Sequence, residues 1–199
     1  MHCNMSIWKE GVNLVADASG KYQMGESAQH FMSGVLHNLS AVVAFTLPSK
    51  NSYRRLTPGS WAGAYRIWGQ ENRLAPIRLC SPPGCAPNTY TNFEVKSVDG
   101  TCNPYLALAA IIHAGLDGVR HKRSLPAPLR DSEAERVKDT LHLLPRSLDE
   151  AIVELEKNEA LQAGFGEYAK HFATVRKFEL TALADMSFEE ERKLVSLRF

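Results

Sequence analysis

The sequence has no long apolar run, few cysteines and almost no net charge, and each shortage removes a class of function. The longest apolar stretch lies near residues 41–47, far below the roughly 20 residues of a membrane span, so no membrane segment is expected. The opening residues carry neither a basic nor an apolar leader region, and no signal peptide is expected. Cys3, Cys80, Cys85 and Cys102 form no CxxC pair, which argues against a zinc ribbon and for four reduced thiols in a cytoplasmic protein. A formal net charge of +1 gives no general pull toward nucleic acid or an anionic membrane. The 199 residues are 44% apolar, enough to build one core, as a domain or part of one.

Local patterns order the chain into short strands and loops first, then helices, which is an α+β arrangement. Residues 1–8 alternate: His2, Asn4 and Ser6 share one face, and Cys3, Met5 and Ile7 the other, as in a half-buried strand. Residues 9–13, with Gly11, read as a turn. Residues 27–45 repeat apolar side chains at spacings of three and four, predicting a helix with Ser27 as N-cap and Gly34 at a close contact. Two strands are predicted at 76–80 and 92–97. In the second, Phe93 and Val95 face one way, and Asn92, Glu94 and Lys96 the other. Asn103-Pro104 opens a helix whose residues 106–119 are apolar on nearly every side, predicting burial all round. Residues 125–146 read as a polar surface crossing. Ser147 to Glu150 and Ser187 to Glu190 are capping boxes. The first starts a helix to about residue 161, broken at Gly164 to Gly166; a further helix is predicted over 167–184.

Two groups of residues carry chemistry. Arg54, Arg55, Arg66, Arg73 and Arg78 fall in a loop-rich stretch whose only acid is Glu71. Arginine is the side chain best suited to grip carboxylate or phosphate with two hydrogen bonds. The alternative is a solvated basic surface, and it fits Arg78 poorly because that residue sits inside an apolar strand. His2 and Glu94 each lie on the polar face of a half-buried strand. If the strands share a sheet, imidazole and carboxylate could meet at a divalent ion; a lone histidine and a lone glutamate far apart in sequence do not establish one.

Five segments in order resemble consecutive signatures of type I glutamine synthetases: 51–59 (NSYRRLTPG), 71–78 (ENRLAPIR), 92–100 (NFEVKSVDG), 103–110 (NPYLALAA) and 114–118 (AGLDG). The opening Met1 to Ser6 resembles that family's metal-binding strand. The resemblance implies part of the glutamine synthetase catalytic fold, with antiparallel strands packed against helices and a helical carboxy-terminal region. It implies a ligase that uses ATP and Mg2+ or Mn2+ to join glutamate to ammonia, working as a homo-oligomer in its full-length form. Matched position by position, His2 and Glu94 correspond to metal ligands, and Arg55 to the residue on the glutamate α-carboxylate. Arg73 corresponds to the catalytic arginine at the transferred phosphate. Arg78, Ser6 and Asn4 fall at nucleotide positions, and Lys96 at a substrate position.

Several departures bear on the activity. Asn4 stands where many members carry histidine, and Lys96 where arginine is usual, which keeps the charge and loses the planar fork. Trp61 replaces the glutamate that helps deprotonate ammonium; an indole cannot accept that proton. The wording around Trp61, with Ser81-Pro-Pro-Gly84, resembles a fungal and plant glutamine-synthetase-like branch, some of whose members are associated with signalling or with ligating glutamate to other amines. The whole of residues 1–199 matches the carboxy-terminal portion of the catalytic domain. The amino-terminal β-grasp domain and the first half of the catalytic domain, with their acidic metal ligands, have no counterpart here. The expectations are therefore a glutamate–ammonia ligase unit that is incomplete alone, a γ-glutamyl ligase for another amine, or a non-catalytic relative. Strands without their sheet neighbours are also expected to make the chain self-associate.

Overall fold

A computed structural model describes residues 1–60, 62–86 and 89–198. The Trp61 position, on which the amine question turns in the sequence, lies outside the described residues.

The sheet that builds the polar wall has four strands: β1 (Cys3–Met5), β4 (Trp68–Gln70), β5 (Ile77–Cys80) and β6 (Asn92–Val95). Their order is β1-β6-β5-β4, so the two strands farthest apart in sequence are neighbours. β6 runs antiparallel to both β1 and β5. β4 was not expected and pairs parallel to β5, so the sheet is mixed. Three residues with a central Gly69 leave no period to read. The expected strand over residues 1–8 is shorter than its alternation: after β1 the chain turns into a separate hairpin of β2 (Trp8–Lys9) and β3 (Val12–Asn13). Glu10 and Gly11 between them both have positive φ, 52° and 78°, as a tight two-residue turn requires.

One sheet face is apolar and covered. Ile77, Leu79, Phe93 and Val95 are fully buried, and the ring of Phe31 from α1 (Glu26–Thr46) lies 5.9 Å from that of Phe93. α1 begins one residue after Gly25 rather than at Ser27, and it is buried along most of its length. It crosses α2 (Pro104–Arg120) at two glycines. A Cβ on Gly34 would lie 2.3 Å from the Ala114 carbonyl oxygen, and one on Gly118 would lie 2.1 Å from that of His30. The expected close contact at Gly34 is therefore a backbone-to-backbone helix crossing. Asn103 caps α2 by accepting hydrogen bonds from the amides of Tyr105 and Leu106.

α2 corrects one expectation. Ala107, Ala110, Ile111 and Ala114 are buried against α1 and the core, but Leu108, Ile112, Leu116 and Val119 lie on an exposed stripe. Apolar composition on all sides reported two different faces, one packed and one bare.

The remaining helices form an outer layer. The stretch read as a polar surface crossing, residues 125–146, contains α3 (Asp131–Val137). Next come α4 (Leu148–Lys157), α5 (Glu159–Phe165), α6 (Glu167–Ala182) and α7 (Phe188–Arg198). The helix expected to run to about residue 161 breaks earlier, at Asn158, whose side chain caps the amide of Leu161 at 2.9 Å. Gly164 lies inside α5 against the His113 ring, and only Gly166, with φ of 56°, ends it. Among the described residues no helix is long and apolar enough to cross a membrane.

Candidate functional site

The site is built by register. Asn4, Glu94, Arg78 and Gly69 lie in one row across β1, β6, β5 and β4, so the side chains of Asn4, Glu94 and Arg78 emerge on the same face. His2 precedes β1 on that face, and its Nδ1 lies 2.7 Å from Glu94 Oε1. On the other side of Glu94, Oε2 lies 3.0 Å from Arg78 Nη2. The Glu94 side chain is only 6% exposed, against 36% for His2 and 25% for Arg78. An imidazole and a carboxylate separated by 92 positions thus meet directly, with a guanidinium completing the cluster.

This cluster is not saturated. Glu94 Oε2 and Arg78 Nε are both buried without an aligned hydrogen bond; the 3.0 Å approach is an ion pair in distance but not in direction. Buried polar atoms left unpartnered mark a place where another group is accommodated. Burial pulls the Arg78 pKa down, and the neighbouring Cys80 and Glu94 more than counter it, so the guanidinium ends above its usual value. For a divalent ion, the donor chemistry fits: one carboxylate with a spare oxygen beside one imidazole nitrogen. The donor count is partial, because among the described residues no three His, Cys, Asp or Glu side chains gather at one point.

Asn4 and Ser6 continue the same face outward. Asn4 Oδ1 accepts from Asn92 Nδ2 at 2.9 Å, and Ser6 Oγ accepts from the Trp8 indole at 2.8 Å. Both side chains are exposed. Arg55 closes the turn Lys50–Arg55 and donates from Nη1 to the Val98 carbonyl at 3.2 Å, just past β6.

Lys96 and Arg73 are related in a way the sequence did not suggest. Lys96 is 2% exposed, and its ammonium donates to the backbone carbonyls of Asn72, at 3.1 Å, and of Arg73. Burial brings its pKa down from 10.5 to about 8, with the Arg78 charge pushing the same way. Lys96 therefore grips the β4–β5 loop instead of presenting its charge to solvent. Asn72, which the sequence reading passed over, is the loop's internal brace: its Oδ1 accepts from the amides of Leu74 and Ala75, both at 2.8 Å, and its Nδ2 donates to the Leu129 carbonyl at 2.6 Å. Asp131, at the start of α3, accepts from the Arg73 amide at 3.1 Å. An asparagine followed four residues later by Pro76, just ahead of β5, was the available signal for a side-chain-braced turn.

Residues 1–194 match the family described as glutamine synthetase, catalytic domain. The chain belongs to the glutamine synthetase family. It is 34% identical over 204 residues to the glutamine synthetase of Methanococcus maripaludis, covering 98% of this chain and 45% of that protein. It is 39% identical over 184 residues to that of Pyrococcus abyssi, covering 90% and 40%. A gamma-glutamylpolyamine synthetase of Streptomyces coelicolor is 36% identical over 170 residues, covering 83% and 36%. Among solved structures, GmaS in an ADP complex superposes with a TM-score of 0.80 at 28% identity, covering 97% of this chain and 45% of that one. The chain therefore spans less than half the length of the glutamine synthetase family members it matches. The mixed α+β architecture is the one that family implies.

Proposed function

We propose that this chain is the carboxy-terminal portion of a glutamine synthetase catalytic domain, and that its polar wall forms half of the site of an ATP-dependent glutamate–amine ligase. The amino-terminal β-grasp domain and the first half of the catalytic domain would supply the rest. The observation that carries this reading is the meeting of His2, Glu94 and Arg78 on one sheet face, in a chain of this family.

The reaction has two balanced steps. The glutamate γ-carboxylate oxygen attacks the terminal phosphorus of ATP, and ADP leaves, giving γ-glutamyl phosphate. An amine nitrogen then attacks the acyl carbon, phosphate leaves, and the amine gives up a proton. His2 and Glu94 would hold Mg2+ or Mn2+, which supplies charge neutralisation at the phosphates. Arg73, exposed and without an ion pair among the described residues, faces the phosphate in transfer. Arg78, Ser6 and Asn4 line the nucleotide side. Arg55, tied to Val98, takes the glutamate α-carboxylate. Catalysis of this kind rests on positioned charge more than on proton transfer. Substrates are thus glutamate, ATP and ammonia or another amine, in a homo-oligomer. Four free thiols suit the reducing cytoplasm.

A second reading concerns the amine. The likeness to a gamma-glutamylpolyamine synthetase, together with Trp61 where the family's glutamate is usual, supports an amine larger than ammonia.

The test is ATP-dependent γ-glutamyl hydroxamate formation by the chain joined to the missing half of the site, supplied by the amino-terminal portion of a glutamine synthetase, alongside Mn2+ binding by titration calorimetry. Turnover is expected to fall at least ~100-fold in Glu94→Gln and Arg73→Ala. Turnover that survives Glu94→Gln would overturn the site. Mn2+ binding with no turnover for any amine favours a regulatory relative.

A further inference from the structure

The loop between β4 and β5 holds its backbone rigid while leaving one side chain free. Glu71 enters it at a positive φ of 54°, a conformation a residue with a side chain keeps only when its surroundings impose it. Asn72 is 2% exposed and braces both the turn and the Leu129 carbonyl. A Cβ on Gly69 would lie 2.5 Å from the Asn72 Cβ, so the base of the loop is already closely packed. Asp131 holds the Arg73 amide. The Lys96 ammonium takes two carbonyls of the same loop, those of Asn72 and Arg73.

Burying an ammonium is costly unless it is well hydrogen-bonded. Its nearest carboxylate in the sheet, Glu94, is already engaged by His2 and Arg78. A lysine kept at 2% exposure for two backbone carbonyls is explained if those carbonyls have to stay where they are. The geometry points to Lys96 as a positioning residue that fixes the peptide units on either side of the Arg73 α-carbon, and through them the direction of the Arg73 guanidinium. This deepens the ligase reading and rests on it for the role of Arg73; the clamp itself rests only on the contacts described. A lysine suits the task because its three donors converge from one nitrogen onto adjacent carbonyls, where a planar guanidinium spreads its donors apart.

Two measurements test it, one independent of activity. In hydrogen exchange, Lys96→Met is expected to raise exchange at the Arg73, Leu74 and Ala75 amides at least ~10-fold, with Phe93 and Val95 in β6 unchanged. Lys96→Arg is expected to restore part of the protection. Should Lys96→Met fail to fold, Lys96→Gln takes its place with the same expectation. In the hydroxamate assay, Lys96→Met is expected to lower kcat more than it raises KM for ATP, and the Lys96→Met/Arg73→Ala double variant to be no slower than Arg73→Ala alone. Unchanged exchange at 73–75 overturns the clamp, as do rate losses that multiply in the double variant. Absence of turnover by the wild-type chain once the missing half of the site is supplied counts against the ligase reading only, because the exchange result still decides the clamp.

Discussion

Glu94 lies between an imidazole and a guanidinium, and the two neighbours predict different consequences of altering it. Glu94→Gln keeps the shape, removes the charge and leaves the half-buried Arg78 without its counter-ion. The expected cost is about 1–3 kcal/mol, below that of a fully buried pair because Arg78 retains some solvent contact. His2→Ala removes a side chain that is 36% exposed and is expected to cost no more than about 0.5 kcal/mol. Both substitutions are expected to lose Mn2+ affinity. Urea unfolding beside calorimetric Mn2+ titration separates these effects; a large stability loss in His2→Ala would mean the imidazole is structural. At this scale the sequence was informative for a physical reason: strand alternation alone put His2, Asn4 and Glu94 on polar faces. It put Lys96 on the same polar face and at a substrate position but was silent on its burial, because burial of an ammonium depends on carbonyls contributed by a loop with no periodic pattern.

At the scale of elements, the α1–α2 crossing is a backbone-to-backbone contact at Gly34 and Gly118. Gly34→Ala would drive a methyl into the Ala114 carbonyl, and neither backbone can yield without shifting a helix. We expect a loss of about 2–4 kcal/mol, above the usual range for overpacking a side-chain contact, read as a fall in the urea midpoint with unchanged slope. A second expectation concerns the carboxylate that ties α2 to its neighbours. Asp117, 7% exposed, receives Arg123 Nε at 2.8 Å and Asn38 Nδ2 at 3.2 Å. Burial raises its pKa, but those hydrogen bonds and the Arg123 charge outweigh it, and the net shift is downward from 3.8. A carboxyl whose pKa is lower folded than unfolded stabilises the fold above its unfolded value and loses that contribution as pH falls through the folded one. The stability advantage of wild type over Asp117→Asn is therefore expected in full at pH 7 and to vanish on titration below 3.8, by thermal unfolding across pH. Helices with a clear apolar period were legible in the sequence to within a few residues. α3 and β4 were not: a seven-residue helix and a three-residue strand are specified by what they pack on, not by their own repeat.

For the molecule as a whole, the uneven faces of α2 are informative. Leu108, Ile112, Leu116 and Val119 follow helical spacing and are each 37–43% exposed, with Tyr105 at 83% beyond them. β1 is an edge of the sheet, with backbone groups able to pair with another strand. An apolar stripe and an open sheet edge are each a way in which a chain becomes sticky. The chain spans less than half the length of its glutamine synthetase relatives, so the sequence signal for this surface was the same one that mis-stated α2 as wholly buried: composition records that a face avoids water but not which chain covers it. The expected behaviour is concentration-dependent self-association of the 199-residue chain, seen as earlier elution in size-exclusion chromatography as loading rises. Leu108→Glu with Ile112→Lys is expected to return it to a monomer without loss of helical content by circular dichroism, since neither side chain packs into the core. A wild-type chain that stays monomeric at high concentration would show that this stripe tolerates water.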